Sequence, residues 1–231
     1  MNDEEFTLTG EMSPEPSRAT RGISRRSKHS SRGGIVVDLP GNKRPRVVQF
    51  ESKLEQRVLF LYLANHDVVD IWEQPPFIRY RDEAGKRKHH FFDFLVVLKD
   101  GRRLALAVKP WKIVQKSDFP RELRRIRAAT PKEFAHEVVL VTDRHFTRAE
   151  ALNAQRFVEF SRSRNPDHQK RLEALVRDNE FPRTVGELSQ LLNLGGHGFR
   201  AVVIAIYEGL LKTDKRHLID LDTLVCSGGL K

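Results

Sequence analysis

The chain is poor in cysteine and has no long hydrophobic run. Cys226 is the one cysteine among 231 residues, which excludes an internal disulfide and a zinc site built from several thiolates. No apolar run approaches the ~20 residues that a membrane-spanning helix needs, and the first residues lack the basic-then-apolar pattern of a secretory signal. We therefore expect a cytoplasmic protein that makes no membrane contact.

Positive charge is what the sequence has in excess. The formal net charge is +10, but residues 165–231 carry nine Lys or Arg against nine Asp or Glu. The whole excess therefore lies before residue 165. Because a basic surface attracts phosphate backbones and releases their counterions on contact, this distribution predicts a nucleic-acid-binding surface in residues 1–164.

The first 34 residues are rich in Ser, Pro, Gly and charge and have almost no apolar periodicity. Such a segment cannot bury enough surface to offset the entropy of ordering, so we predict a flexible basic arm over residues 1–34. The arm could be a solvated tail or a segment that orders on nucleic acid. The candidate DNA-binding residues in and just after it are Arg25, Arg26, Lys43, Arg44 and Arg46.

Residues 35–164 alternate between strand and helix patterns, which predicts an α/β domain around one small mixed sheet. The predicted strands are 35–39, 46–50, 68–72, 77–80, 88–98, 103–108 and 137–142, with a tight turn at 99–102. The predicted helices are 54–65, 119–129 and 147–163. Ser52 and Glu55 have the spacing of a capping box for the first helix.

Residues 165–231 have a different pattern. Helices are predicted at 168–177, 184–192 and 198–211, followed by a β-ribbon at 212–224, which is the order of a winged helix. The third helix has too few basic residues for a DNA major-groove reader. With no net charge, this domain is predicted to dock on a protein.

Three residues suggest a catalytic site. Glu55 lies in the first predicted helix, Asp93 lies in the apolar run Phe91-Phe92-Asp93-Phe94, and Lys109 closes Ala107-Val108-Lys109. Carboxylates that hold Mg²⁺ beside a lysine are suited to phosphodiester cleavage. Each residue also has a structural interpretation. Glu55 could be a cap partner, Asp93 could mark a sheet edge, and Asp93 with Lys109 could be a surface ion pair.

The order of these motifs resembles the PD-(D/E)XK nuclease fold and, within it, the TnsA-like endonucleases of heteromeric cut-and-paste transposons. The resemblance covers about residues 46–145. It is carried by five segments: Phe50-Glu51-Ser52-Lys53-Leu54-Glu55, Val69-Asp70-Ile71-Trp72-Glu73-Gln74-Pro75, Asp93-Phe94-Leu95-Val96, Ala107-Val108-Lys109-Pro110 and Val141-Thr142-Asp143.

The resemblance implies catalytic roles for Glu55, Asp93 and Lys109. Glu55, Asp93 and the backbone carbonyl of Val108 would bind Mg²⁺, for which Mn²⁺ would substitute. Ala107 departs from the pattern, because this position normally supplies an acid or a glutamine. Glu51 and Glu73 are candidate substitutes, although Glu51 is expected to be an exposed charge at the helix entry and Glu73 to be structural.

The implied activity is cutting one strand, on the 5′ end side, of double-stranded DNA at transposon ends in bacteria, where the protein would be nucleoid-associated when acting. The implied partners are a TnsB-like DDE transposase and a TnsC-like AAA+ regulator, the latter through the C-terminal domain. Two alternatives remain open: a stand-alone nuclease of restriction, phage or repair systems, and a catalytically weak DNA-binding scaffold.

Overall fold

The computed structural model describes residues 13–22 and 31–229. The helices are α1 (Lys53–Leu63), α2 (Trp111–Lys116), α3 (Phe119–Ala129), α4 (Arg148–Ser161), α5 (Pro166–Asp178), α6 (Val185–Leu192) and α7 (Gly196–Glu208). The strands are β1 (Gly33–Val37), β2 (Arg46–Phe50), β3 (Val68–Glu73), β4 (Ile78–Arg81), β5 (Arg87–His90), β6 (Phe94–Leu98), β7 (Arg103–Val108), β8 (Glu137–Val141), β9 (Arg183–Thr184), β10 (Leu211–Lys212) and β11 (Leu224–Ser227). The chain divides into two compact units.

The first unit comprises residues up to Ser52, Val68–Ala107 and Glu122–Val139. Its main sheet has the strand order β3-β6-β7-β8. β6 is antiparallel to both β3 and β7. β8 runs parallel to β7, because the N–H of His136 donates to the carbonyl of Arg103 and the N–H of Lys109 donates to that of Val141. The predicted α/β class with a mixed sheet is therefore confirmed.

The predicted turn between β6 and β7 is confirmed. Gly101 has a φ of 83°, a conformation that glycine adopts without steric cost. Asp100 accepts the backbone N–H of Arg102, and Leu98 exchanges backbone hydrogen bonds across the turn with Arg102 and Gly101. This turn fixes the register of the two strands.

The prediction of one long strand at 88–98 is wrong, because residues Phe91–Asp93 separate two strands, β5 and β6. β5 pairs with β4 in a separate hairpin, whereas β6 pairs with β3 and β7. The side chains of β5 are mostly exposed, while the first three residues of β6 are buried. The two halves thus lie in different environments, and the fully buried Phe92 packs between His90 and Phe134 at the break.

The second unit comprises Lys53–Asp67, Val108–Arg121 and residues from Leu140 onward. In it α1 packs on α4, and α4 packs on α7. This division differs from the boundary expected at residue 164, which falls inside the second unit. Three-stranded pairing in the order β10-β11-β9 replaces the predicted continuous ribbon at 212–224. Thr184 and Glu187 form a capping box at the start of α6.

Asn153 on α4 connects the middle of the chain to its C-terminal part. Its side chain is fully buried and donates to the carbonyls of Lys215 and His217, at 3.1 and 2.7 Å. It also accepts the N–H of Ile219 at 3.0 Å. One amide thus satisfies three backbone groups of the 215–219 loop and fixes this loop on α4.

No helix in the described ranges has the length and apolarity needed to span a bilayer.

Candidate functional site

Asp93 lies where three strands of the main sheet meet. It directly precedes β6, its N–H donates to the carbonyl of Leu106, and its carbonyl accepts the N–H of Gln74, both at 2.9 Å. The backbone of Asp93 is thus held from both sides, and the residue is half-buried. These two bonds fix the position of the Asp93 backbone between β3 and β7.

Ala107 lies next to the end of the β6–β7 ladder, as Asp93 does. The last pair of the register is Phe94 with Leu106, and the N–H of Asp93 donates to the carbonyl of Leu106, so Asp93 and Ala107 are each one residue beyond that pair. Ala107 is 1% exposed and offers no ligand. In the part of the chain that the structure describes, no three His, Cys, Asp or Glu residues come close enough to hold a metal ion together.

Glu73 belongs to a buried ion pair. Its side chain is fully buried, and its Oε2 lies 2.9 Å from Nη1 of Arg46, whose side chain is 1% exposed. Glu73 also accepts the Ser17 hydroxyl and the N–H of Arg18. The structural interpretation of Glu73 is confirmed. The prediction that Arg46 contacts DNA is wrong, because its guanidinium is buried against Glu73.

Residues 13–22 are bound to the rest of the first unit. The predicted flexibility of residues 1–34 therefore does not hold for this segment. Glu15 forms an isolated parallel bridge with Arg46. Nη2 of Arg18 lies 2.7 Å from both carboxylate oxygens of Asp70, and the indole N–H of Trp72 donates to the carbonyl of Arg18. These contacts with distant residues order the segment, although its composition alone predicts a flexible chain.

Glu51 is also engaged in this region. Its carboxylate accepts Nη2 of Arg21 at 2.5 Å, and its side chain is 17% exposed. The expected exposed position of Glu51 is therefore wrong. Of the predicted DNA contacts, Lys43 and Arg44 are exposed, and Arg44 lies 3.4 Å from Glu15. Arg25 and Arg26 lie outside the described residues.

Glu55 and Lys109 lie in the second unit. Glu55 is in the first turn of α1 and is half-buried. Lys109 follows β7, its N–H donates to the carbonyl of Val141 at 3.0 Å, and its Nζ lies 4.6 Å from the ring centroid of Phe119. Contact with an aromatic face stabilises an ammonium without neutralising its charge. Lys109 is thus half-buried beside an aromatic ring.

The chain after Lys109 was not predicted as a helix. α2 begins at Trp111, whose N–H is accepted by Asp143 at 2.6 Å. Asp143 belongs to the last of the resembling segments. This carboxylate thus satisfies a free N–H at the start of α2 and fixes the chain just after Lys109.

One group of basic residues was missed by the sequence analysis. Arg79 and Arg81 alternate along β4, and Arg87 and His89 alternate along β5. All four are exposed. The period-two spacing around the Asp82-Glu83-Ala84-Gly85 turn was the available signal.

A comparison with protein families matches four of the five segments that carry the resemblance. The family model described as TnsA-like endonuclease N terminal matches residues 65–161. The match includes Asp93 and Lys109 and begins after Glu55. No curated protein matches the chain significantly. Residues 65–161 are therefore similar to the N-terminal domain of TnsA-like endonucleases, and the mixed sheet with flanking helices is consistent with a PD-(D/E)XK-like nuclease fold.

Proposed function

We propose that this protein is a metal-dependent DNA endonuclease that cuts one strand, on the 5′ end side, at transposon ends. The observation that carries the proposal is the placement of Asp93: it lies inside the family match and is held between β3 and β7. Lys109, inside the same match, supplies the cation that a developing phosphorane charge requires.

The residues offered to a metal are suited to Mg²⁺ or Mn²⁺. Asp93 and Glu55 are carboxylates and the third proposed ligand, Val108, offers a carbonyl, so all donors are oxygens, which these hard cations prefer. A bound divalent cation would polarise the scissile phosphate and lower the pKa of a bound water. Asp93 and Glu55 would hold the cation, while Lys109 would orient the water or stabilise charge on the phosphate.

Neighbouring carboxylates do not compete for this role. Glu73 is neutralised by Arg46, and Glu51 by Arg21. Asp70 is neutralised in the same way by Arg18. Each of these acids already has a cation of the chain as its partner, which makes it less suited to hold a metal ion.

We further propose that residues 165–231 form a winged-helix-like domain that docks on a TnsC-like AAA+ regulator, and that a TnsB-like DDE transposase cuts the other strand. The order α5, β9, α6, α7, β10, β11, with pairing β10-β11-β9, supports the winged-helix topology. The absence of net charge over residues 165–231 supports a protein as the partner.

The test is a nicking assay on transposon-end duplexes with Mg²⁺ or Mn²⁺, with and without the transposase. Asp93→Asn and Lys109→Met should each lower the cleavage rate by at least about 100-fold, while duplex binding stays unchanged. The matched controls are Asp222→Asn and Lys99→Met, which remove the same charges at exposed positions. Wild-type cleavage rates in Asp93→Asn would refute the assignment.

The position of Ala107 favours a second candidate function. With no acid at position 107 on the strand beside Asp93, the protein could serve as a DNA-binding scaffold with weak catalysis. The same assay separates the two: a scaffold would bind duplex DNA and support the transposase, but Asp93→Asn would leave every cleavage product unchanged.

A further inference from the structure

The β4–β5 hairpin has one basic face. The register pairs Arg79 with His89 and Arg81 with Arg87, and directly paired residues lie on the same face of an antiparallel ladder. All four side chains are exposed. The opposite face is the packed one, because Ile78 and Tyr80 are only 7% and 6% exposed.

The three arginines of this face, Arg79, Arg81 and Arg87, form no ion pair with a carboxylate of residues 13–22 or 31–229. Arg81 donates to the carbonyl of Gly85 at 2.8 Å, which keeps its charge, and the guanidinium of Arg79 lies 5.5 Å from the ring centroid of Phe77.

The two acids of the hairpin are bound elsewhere. Asp82 lies 3.4 Å from Nζ of Lys88. Backbone hydrogen bonds from Lys86 and Ala84, together with Lys88, lower the pKa of Asp82 despite an opposing effect of desolvation. Glu83 lies 3.4 Å from Arg125 of α3. Neither carboxylate therefore neutralises the basic face.

Arg81 opposite Arg87 is unfavourable for the free protein, since like charges directly opposite each other on a ladder destabilise the sheet. An external anion reverses the sign of this effect. From this geometry we infer that the basic face of the β4–β5 hairpin binds the phosphate backbone of duplex DNA. The inference deepens the proposed function, because the DNA it binds is the proposed substrate.

The shape of the hairpin agrees with this ligand. A two-stranded ribbon fits into the DNA major groove, where its outward side chains reach the phosphates on either side. Phe77, which is 38% exposed and lies 4.4 Å from the ring of His89, adds an apolar surface beside the cations. Cationic residues beside an exposed ring suit a sugar-phosphate chain better than an acidic protein surface.

The test measures duplex binding without cleavage. The full chain is titrated with a labelled duplex in EDTA at several salt concentrations, so a failure of the nuclease assignment cannot affect the result. The triple variant Arg79→Gln, Arg81→Gln, Arg87→Gln should bind at least about tenfold more weakly near 0.1 M salt. The slope of log K against log salt should fall by up to about 2.7, which corresponds to three phosphate contacts.

Two control variants make the test specific. Lys170→Gln, Arg177→Gln, Lys212→Gln removes three exposed charges from the second unit and should change binding less than about twofold if the effect is local. Arg79→Lys, Arg81→Lys, Arg87→Lys keeps the charge and should retain most of the affinity. If the glutamine variant fails to fold, duplex binding by the lysine variant still tests these three positions.

Several results would overturn the inference. These are unchanged affinity and salt slope in the glutamine variant, an equal loss in the second-unit control, or no duplex binding by the wild-type protein. Equal affinity for a duplex RNA, with the same loss in the glutamine variant, would overturn the assignment to DNA. A loss confined to the hairpin variant supports the inference even if the protein does not cleave.

Discussion

Arg46 and Glu73 form a buried ion pair that joins β2 to the end of β3, with Nη1 2.9 Å from Oε2 and side chains exposed by 1% and 0%. Burying two charges is costly, and the cost is recovered only when both partners and their hydrogen bonds are present. Ser17 and the N–H of Arg18 complete the coordination of Glu73. The pair is therefore sensitive to the loss of either member.

Arg46→Met should lower the free energy of unfolding by about 3 kcal/mol, because it leaves the Glu73 carboxylate buried without its cation. Urea unfolding followed by circular dichroism measures this change. Lys43→Met, at an exposed position, is the control and should stay within about 0.5 kcal/mol of wild type. Equal stability of the two variants would contradict a structural role for Arg46.

Arg18→Ala should weaken the attachment of residues 13–22 to the rest of the first unit. It removes the contacts with Asp70 and the guanidinium above the indole of Trp72, 5.5 Å from the ring centroid. We expect a loss of about 1 kcal/mol, since the ion pair is partly exposed, with a red-shifted tryptophan emission and faster trypsin cleavage at Arg21. Lys43→Ala, at an exposed position, serves as the control. Unchanged emission and cleavage would show that Arg18 does not hold the segment.

Ala107→Glu should raise Mg²⁺ affinity, since it adds a carboxylate one residue after Leu106, to which the backbone of Asp93 is hydrogen-bonded. Without metal, the buried charge should destabilise the protein through desolvation and repulsion from Asp93. Calorimetric titration of Mg²⁺ or Mn²⁺ into wild type and variant tests this, with thermal unfolding as the control for folding. An unchanged affinity in a folded variant would place the metal away from Ala107.

The raised pKa of Tyr207 predicts that the folded protein loses stability at alkaline pH. Burial, assisted by the negative charge of Glu150, raises its pKa to about 12. Below the ordinary tyrosine pKa of about 10, both the folded and unfolded states are protonated. Between about pH 10 and 12 only the unfolded state ionises, so the stability contributed by Tyr207 is lost as pH rises.

The comparison of Tyr207→Phe with wild type isolates this contribution. The fall in melting temperature between about pH 9 and about pH 11 should be smaller in the variant. It should not vanish, because burial also raises the pKa of Tyr62 and Tyr80. An identical fall in both proteins would show that Tyr207 ionises as readily in the folded state as in the unfolded one.

Local signals predicted the elements that depend on local interactions. The predicted bounds of β7 and α3 are correct, because the apolar spacing of each is uninterrupted. Helix α2 was missed because its N-terminus has no capping side chain from its own turn. Instead, Asp143 binds its first N–H from 32 positions away.

The misassigned charges have the same physical origin. A sequence does not distinguish an arginine that meets solvent from one that meets a buried acid, and Arg46 has its partner 27 positions away at Glu73. Similarly, the order of residues 13–22 depends on Asp70 and Trp72. Asp93 was singled out correctly as an acid in an apolar context, but its catalytic role, like those of Glu55 and Lys109, stays a prediction.

The contacts of Asn153 limit where the chain can be cut into fragments or joined to part of a related protein. Asn153 lies within the matched range 65–161, and it holds a loop that follows α7. A fragment that starts at residue 165 would lose this amide and leave three backbone groups of the loop to water. In a chimera of two relatives, the junction should therefore lie before α4. Asn153 and the 215–219 loop that it binds then come from the same parent.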